Sequence, residues 1–305
     1  MPPLVDSEGH KRLSPELKNF IDEINAQLAQ AVDKEVMVYV HGTKVDFLNS
    51  VSLTAELDHF AGRDFVSVAF AWPSHQNIFS YLVGVDVRRA LDSSAALQML
   101  LVLLADYTDA QQINVLSYSA GGRVVSKALH ELRESVPVLT GQALKDRFRL
   151  GAVAFAAADV PVDVFLPRLE DVSTLADLVV LTTSDDDNVL KAGETFMGGR
   201  ERTGTADAEA EEEAFIVDRR LSNVEIIDVS RGKEVRGFDI TGHHYWYRHP
   251  WTSSDMVFFM RTDLRAEQRG LSATDLYGVW FLSQDYPEKI RKAAIEALDG
   301  QWSRH

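Results

Sequence analysis

The sequence predicts an α/β fold, with a mostly parallel, twisted sheet and helices on both faces. Three observations lead there. Short apolar runs rich in β-branched residues recur along the chain, segments with helical spacing of apolar residues lie between them, and Gly or Pro ends several of the runs. Strands that alternate with helices build βαβ units, and strands covered on both faces lose the polar–apolar alternation of a half-exposed sheet.

In chain order, residues 14–32 carry Leu17, Phe20, Ile21, Ile24, Leu28 and Val32 at helical spacing, with Ser14-Pro15 as a start signal. The run at 36–40 ends at His41-Gly42 and reads as a buried parallel strand. Residues 65–71 form a second strand, halted by Trp72-Pro73, and 113–116 a third that runs into Ser117. Further strands are expected at 150–156, 178–182 and 224–229, and helices at about 51–60, 85–107, 120–132 and 287–298, the last stopping at Gly300. Residues 1–34 read as an N-terminal helical segment packed on the core, and 35–305 as one domain. Within it, the acidic stretch at about 198–214 has the composition of a solvated, mobile loop; an active-site lid or partner contact is the other reading.

Hydrophobic residues make up 46% of the 305 and charged residues 25%, enough for a sizeable core. The formal charge of -15 argues against nucleic acid as a partner, because an acidic surface supplies neither phosphate contacts nor steering. No cysteine is present, which excludes disulfides, thiolate metal sites and Cys nucleophiles. The N-terminus, Met1-Pro2-Pro3-Leu4-Val5-Asp6, lacks the basic and apolar regions of a signal peptide, although a leader cut away beforehand stays open. The most apolar stretch, 95–105, is too short to cross a bilayer, so no transmembrane segment is expected. The chain reads as soluble, with cytoplasmic and extracytoplasmic compartments both open and no oligomeric state implied.

Ser117-Tyr118-Ser119-Ala120-Gly121-Gly122 stands where the third strand hands over to a helix. A nucleophile elbow needs that context, because the turn is so tight that the positions two before and two after the serine must be small. The usual pattern is G-x-S-x-G, and here Ser117 replaces the first glycine. Such a turn raises the Ser119 hydroxyl above the strand ends and aims the Ala120 N–H and the positive helix terminus at the same space. An ordinary Ser-rich turn is the bland alternative.

A second oxyanion donor is expected from the loop after an earlier strand. In Val40-His41-Gly42-Thr43, Gly42 lets the backbone approach a substrate and the Thr43 N–H is the candidate donor. His41 reads as a brace for this loop rather than as a base. His41-Gly42-Thr43, Trp72-Pro73-Ser74 with Tyr81 and Asp86 downstream, and Ser119-Ala120-Gly121 together resemble the bacterial α/β-hydrolases known as the DUF900 family. The resemblance covers about residues 35–260 and extends to Ala158-Asp159-Val160, the Ser184-to-Leu190 stretch and Gly242-His243-His244-Tyr245. It implies an α/β-hydrolase fold and a serine esterase-type triad.

In such folds the acid and then the histidine follow the serine along the chain. His243, His244, His249 and His305 lie late enough. His243 follows Gly242, matches the family's Gly-His-x-Tyr position and is the expected general base, with His244 as the alternative. Asp187 is the expected acid, since it ends the polar stretch after the strand at 178–182 and matches the family's Ser-x-x-Asp-x-x-Leu pattern. Asp185 and Asp186 differ from it by a step of register, and Asp159, one strand earlier, is a separate alternative. Candidate pocket residues are His41, Trp72, Tyr81, Tyr118 and Trp246, core packing being the other reading of the aromatics. Arg88, Arg89 and Arg123 read as surface or helix-capping charges.

The expected chemistry is attack by Ser119 on a small-molecule carboxylic ester, with the Thr43 and Ala120 amides on the oxyanion and His243 moving the proton. It calls for no metal and no organic cofactor. Lipase, thioesterase and acyltransferase activities use the same parts, and a non-catalytic binding module of the same fold is the rival that Ser117 favours.

Overall fold

The structure, a computed structural model, describes residues 4–5, 11–62, 64–196, 199–230 and 243–297. Residues 1–3, Asp6, Gly198, Gly242, Leu298, Gly300 and His305, named above, lie outside the described residues. The chain opens with β1 (Leu4–Val5) and β2 (Lys11–Arg12), a small antiparallel pair, then α1 (Pro15–Gln30), β3 (Glu35–Val40), α2 (Phe47–Phe60) and β4 (Val66–Phe70). Next come α3 (Ile78–Leu82), α4 (Val85–Tyr107), β5 (Gln112–Tyr118), α5 (Gly121–Glu134), α6 (Gly141–Phe148), β6 (Leu150–Ala156) and α7 (Val162–Leu175). They are followed by β7 (Ala176–Thr183), α8 (Asn188–Phe196), α9 (Glu209–Arg219), β8 (Val224–Asp228) and α10 (Tyr245–Arg248). The last elements are α11 (Pro250–Arg261), β9 (Ser272–Ala273), β10 (Val279–Phe281) and α12 (Tyr286–Glu296).

Among the described residues β3 to β10 form one sheet in the order β4-β3-β5-β6-β7-β8-β10-β9. Every pairing is parallel except β9 on β10 at the edge. Alternation along the central strands divides the core into two layers. Val36, Val38 and Val40 of β3 join the cluster that includes α1, α4, α5 and α7, while Met37 and Tyr39 join the one that includes α10, α11 and α12. Each fully buried aliphatic side chain contributes about 1.5–3 kcal/mol relative to exposure, so the continuous apolar strands are stable only because both faces are covered. This arrangement places β5, the strand that leads into Ser119, inside the sheet between β3 and β6.

Helix α1 starts as its sequence predicts, with the Ser14 side chain accepting the Leu17 N–H. Helix α2 starts earlier than the expected residue 51, because Asp46 caps it and accepts the Asn49 N–H at 2.8 Å. Two other expectations need correcting. The acidic stretch is not a solvated loop: Ala206–Ala208 form a 3-10 turn and α9 follows at once, with Glu209 and Glu212 buried. Acids in the first turn suit the positive helix N-terminus, the Thr183 hydroxyl donates to Glu209 at 2.6 Å, and burial pushes the Glu212 carboxyl well above the usual range. Helix α4 covers the expected residues 85–107, and only the reading of its apolar stretch as too short to cross a bilayer needs correcting. It runs 23 residues, well beyond the apolar stretch at 95–105, and by length and composition alone is able to cross a membrane. In the fold its Ala90, Leu97, Leu101 and Leu104 are buried in the same core cluster as Val124 and Ala128 of α5.

One buried charge cluster ties α11 to β8. Arg269 Nε donates to Asp255 at 2.8 Å and Nη1 to Glu225 of β8 at 3.1 Å, and all three side chains are buried. Removing one partner of such a set strands the others in a low dielectric, at a cost of about 3–5 kcal/mol. Arg269→Ala is therefore expected to lower the unfolding free energy by that amount in a denaturant titration, and a loss below about 1 kcal/mol, the value of a surface pair, would contradict this reading.

Candidate active site

Strand β5 ends at Tyr118, and Ser119 follows with φ at +52°, the left-handed region that side chains with a Cβ rarely adopt. Three backbone bonds hold it. The Ser119 N–H donates to Ala156 O at 2.9 Å, and Ser119 O accepts from Gly122 N–H at 3.0 Å and Asp159 N–H at 3.2 Å. Gly121 is required for close approach of α5 to β3, since a Cβ there would stand 2.4 Å from Val40 O and 2.7 Å from His41 O. Ser117 fits in place of the usual glycine because its hydroxyl finds an acceptor in Ala154 O at 2.9 Å on β6.

Ser119 Oγ lies 2.9 Å from His243 Nε2, and His243 Nδ1 lies 2.6 Å from Asp187 Oδ2. An ionised carboxylate only accepts, so Nδ1 carries the proton and the Nε2 lone pair faces the serine hydroxyl. The other Asp187 oxygen accepts the N–H groups of Val189 at 3.1 Å and Leu190 at 3.0 Å, where α8 begins. These bonds fix the plane of the carboxylate. Ser119, Asp187 and His243 are all buried. The competing residues lie elsewhere. Asp185 and Asp186 are exposed, His244 packs its ring on Tyr118 and Tyr247, and His249 caps α11 by accepting the Thr252 N–H. Among the described residues no group of three or more His, Asp or Glu is placed to hold a metal ion.

The segment that carries the histidine is tied to two strands of the sheet, β5 and β7. Tyr118 donates to His243 O at 3.4 Å, and Tyr245 donates to Thr182 O at 2.9 Å. Trp246 is buried with its ring 5.3 Å from that of Tyr118, so both pack beneath the histidine loop. An apolar cavity of ≈ 650 Å³, lined by Leu57, Phe60, Trp246, Trp251 and Ile290 among others, opens between α2, α11 and α12; Ser119, Asp187 and His243 do not line it.

His41 braces the other side of the serine. Its Nδ1–H donates to Gly42 O at 2.7 Å, its Nε2 accepts the Trp72 N–H at 3.1 Å, and Trp72 Nε1–H donates back to His41 O at 2.7 Å. The two rings stack with centroids 5.3 Å apart. Burial lowers the His41 pKa and favours the neutral ring that one donated and one accepted bond require. The braced Gly42 lies against Ser119, where a Cβ would stand 3.1 Å from Ser119 Cβ. Among the described residues neither the Thr43 nor the Ala120 N–H has a backbone acceptor.

Tyr81 is buried, and its hydroxyl donates to Asp159 rather than facing open space. Arg123 corrects another expectation: it is buried, not a surface charge, and its Nε donates to the Tyr81 oxygen at 3.0 Å. Arg202, which the sequence reading passes over, stands 3.0 Å from Asp159. Only tertiary structure joins these residues: Tyr81 and Asp159 stand in stretches that carry the family resemblance, whereas no local pattern marks Arg202.

The close approach at Gly121 can be tested directly. Gly121→Ala is expected to cost roughly 1–3 kcal/mol, the usual penalty of overpacking, and to suppress reaction of Ser119 with a phosphonylating probe. Wild-type melting and labelling would show that the approach is not required.

A search of curated proteins gives no match. Among solved structures the chain is similar to a dienelactone hydrolase from Anabaena variabilis (12% identity, 75% of this chain and 86% of that one, TM-score 0.43). Esterase B from Lactobacillus rhamnosis aligns at 13% identity over 76% of each chain with TM-score 0.43. Acyl-protein thioesterase 2 from Zea mays aligns at 14% identity over 76% of this chain and 94% of that one, with TM-score 0.47. A sequence model described as an α/β-hydrolase of unknown function, DUF900, matches residues 17–254. The Ser-His-Asp relay supports serine-hydrolase chemistry, and the chain belongs to the DUF900 family of α/β-hydrolases.

Proposed function

We propose that the protein is a carboxylesterase that cleaves small carboxylic esters through an acyl-enzyme on Ser119. The observation that carries the reading is the continuous relay from Ser119 Oγ to His243 Nε2 at 2.9 Å and from His243 Nδ1 to Asp187 Oδ2 at 2.6 Å. Ser119 Oγ attacks the ester carbonyl while its proton passes to His243 Nε2. Asp187 holds the ring and stabilises the imidazolium that forms. The Thr43 and Ala120 N–H groups take the oxyanion, each worth roughly 3 kcal/mol of transition-state stabilisation. Collapse of the tetrahedral intermediate breaks the C–O bond, and the imidazolium returns the proton to the leaving alkoxide. Water then attacks the acyl-enzyme by the same route, releasing the acid and restoring Ser119. An ester asks least of such a site, because its alkoxide leaves more readily than an amine.

The test is covalent labelling with a fluorophosphonate together with turnover of short p-nitrophenyl esters. Ser119→Ala and His243→Ala are each expected to lower kcat by about 10⁴-fold or more and to prevent labelling, whereas His244→Ala should still label. Ester turnover by Ser119→Ala at the wild-type rate would overturn the reading. Labelling lost in His244→Ala but kept in His243→Ala would move the base by one residue.

A further inference from the structure

The loop after β6 holds a second buried carboxylate, Asp159, that the relay does not use. Its backbone N–H donates to Ser119 O at 3.2 Å and is one of the bonds on the left-handed turn. Its side chain draws in three further segments. Tyr81 of α3 donates to Oδ2, Arg123 of α5 stands 3.5 Å from the same oxygen, and Arg202 stands 3.0 Å from Oδ1. Arg123 Nε also donates to the Tyr81 hydroxyl at 3.0 Å, which closes the set. The surroundings leave little slack. Gly204 N–H donates to Ala158 O at 3.0 Å, a Cβ on Gly204 would stand 2.7 Å from Ala158 N, and one on Gly122 would stand 3.1 Å from Ala158 Cβ.

We propose that Asp159, Tyr81, Arg123 and Arg202 form a positioning network that fixes the Ser119 backbone, through the Asp159 N–H, at the distance His243 needs. The inference rests on Ser119 being the nucleophile. Buried ionic clusters are seldom more stable than apolar packing of the same volume, so stability alone does not account for one at the elbow. Placement does, because an error of about 1 Å in a reacting atom can cost around a hundredfold in rate.

Asp159 also gives the network a pH signature. Burial pushes its carboxyl up to about 6, with Arg202 and His243 drawing it down and Asp187 and Glu194 pushing it further up. Tyr81 faces it from α3 and Arg123 from α5. As pH falls through that value the carboxylate takes a proton and loses its charge, and the wild-type network comes to match that of Asp159→Asn.

The experiment compares full-length wild type, Tyr81→Phe and Asp159→Asn in fluorophosphonate labelling, ester kinetics and melting temperature. Tyr81→Phe is expected to stay folded with a lowered melting temperature, because it strands buried Asp159 and Arg123, and to lose about tenfold or more in kcat and labelling rate with KM unchanged. The rate ratio of wild type to Asp159→Asn should be large well above pH 6 and fall towards one below it. Wild-type labelling by Tyr81→Phe, or a ratio independent of pH, would overturn the network. Should Asp159→Asn fail to fold, Tyr81→Phe decides alone. If wild type itself is not labelled, the esterase reading falls and the network with it; a labelled wild type with unaffected variants overturns the network only.

Discussion

The left-handed backbone at Ser119 is the constraint around which the other features are arranged. A non-glycine residue held there costs about 1–3 kcal/mol, and it persists only if its surroundings allow no other path. Ser119 receives three backbone bonds, from β6, from the first turn of α5 and from the Asp159 loop. At about 0.5–1.5 kcal/mol net for each bond, they offset the strain. Gly42 and Gly121 then let the neighbouring backbone come within contact of the turn, with no side chain between. The strained residue is also the one whose hydroxyl faces His243, so the strain serves to project that hydroxyl.

The relay is held by bonds that leave little freedom to any member. Asp187 spends one oxygen on the imidazole and the other on two N–H groups of α8. His243 is held through its own carbonyl by Tyr118, the residue next to Ser119. His41 and Trp72 fix the loop on the opposite side through a closed set of bonds and a stacked ring pair. Burial strengthens each of these interactions, because a low local dielectric magnifies both a satisfied polar contact and the cost of losing one. A buried arginine does comparable work at a distance, joining α11 to β8 through Asp255 and Glu225.

Much of this was legible in the sequence for identifiable reasons. Strands β3, β5 and β6 are buried on both faces, so β3 and β6 appear as nearly continuous apolar runs and β5 as one broken mainly by Asn114. Ser119 and His41-Gly42-Thr43 follow such strands directly, and a motif at a strand end inherits the strand's clarity. Asp187 was separable from Asp185 and Asp186 by the family's Ser-x-x-Asp-x-x-Leu spacing alone, because the burial that distinguishes it in the structure is not visible in a polar triplet. Helix α9 was hidden because its acidic face reads as solvent-loving although Glu209 and Glu212 point inward. Helix α7 was hidden by Pro167 in its interior, a residue that normally ends a helix. The Asp159 cluster lay furthest from view. Tyr81, Arg123 and Arg202 are brought together from separate elements, and the charge on Arg123 suggested a surface position that α5, buried along most of its length, does not provide.

A crystal structure of the protein after reaction with a fluorophosphonate tests the central claim most directly. The account predicts a bond from Ser119 Oγ to phosphorus, with the phosphoryl oxygen about 2.7–3.1 Å from both the Thr43 and Ala120 nitrogens and His243 still bonded to Asp187. An adduct on another residue, or a phosphoryl oxygen turned away from both amides, would contradict it.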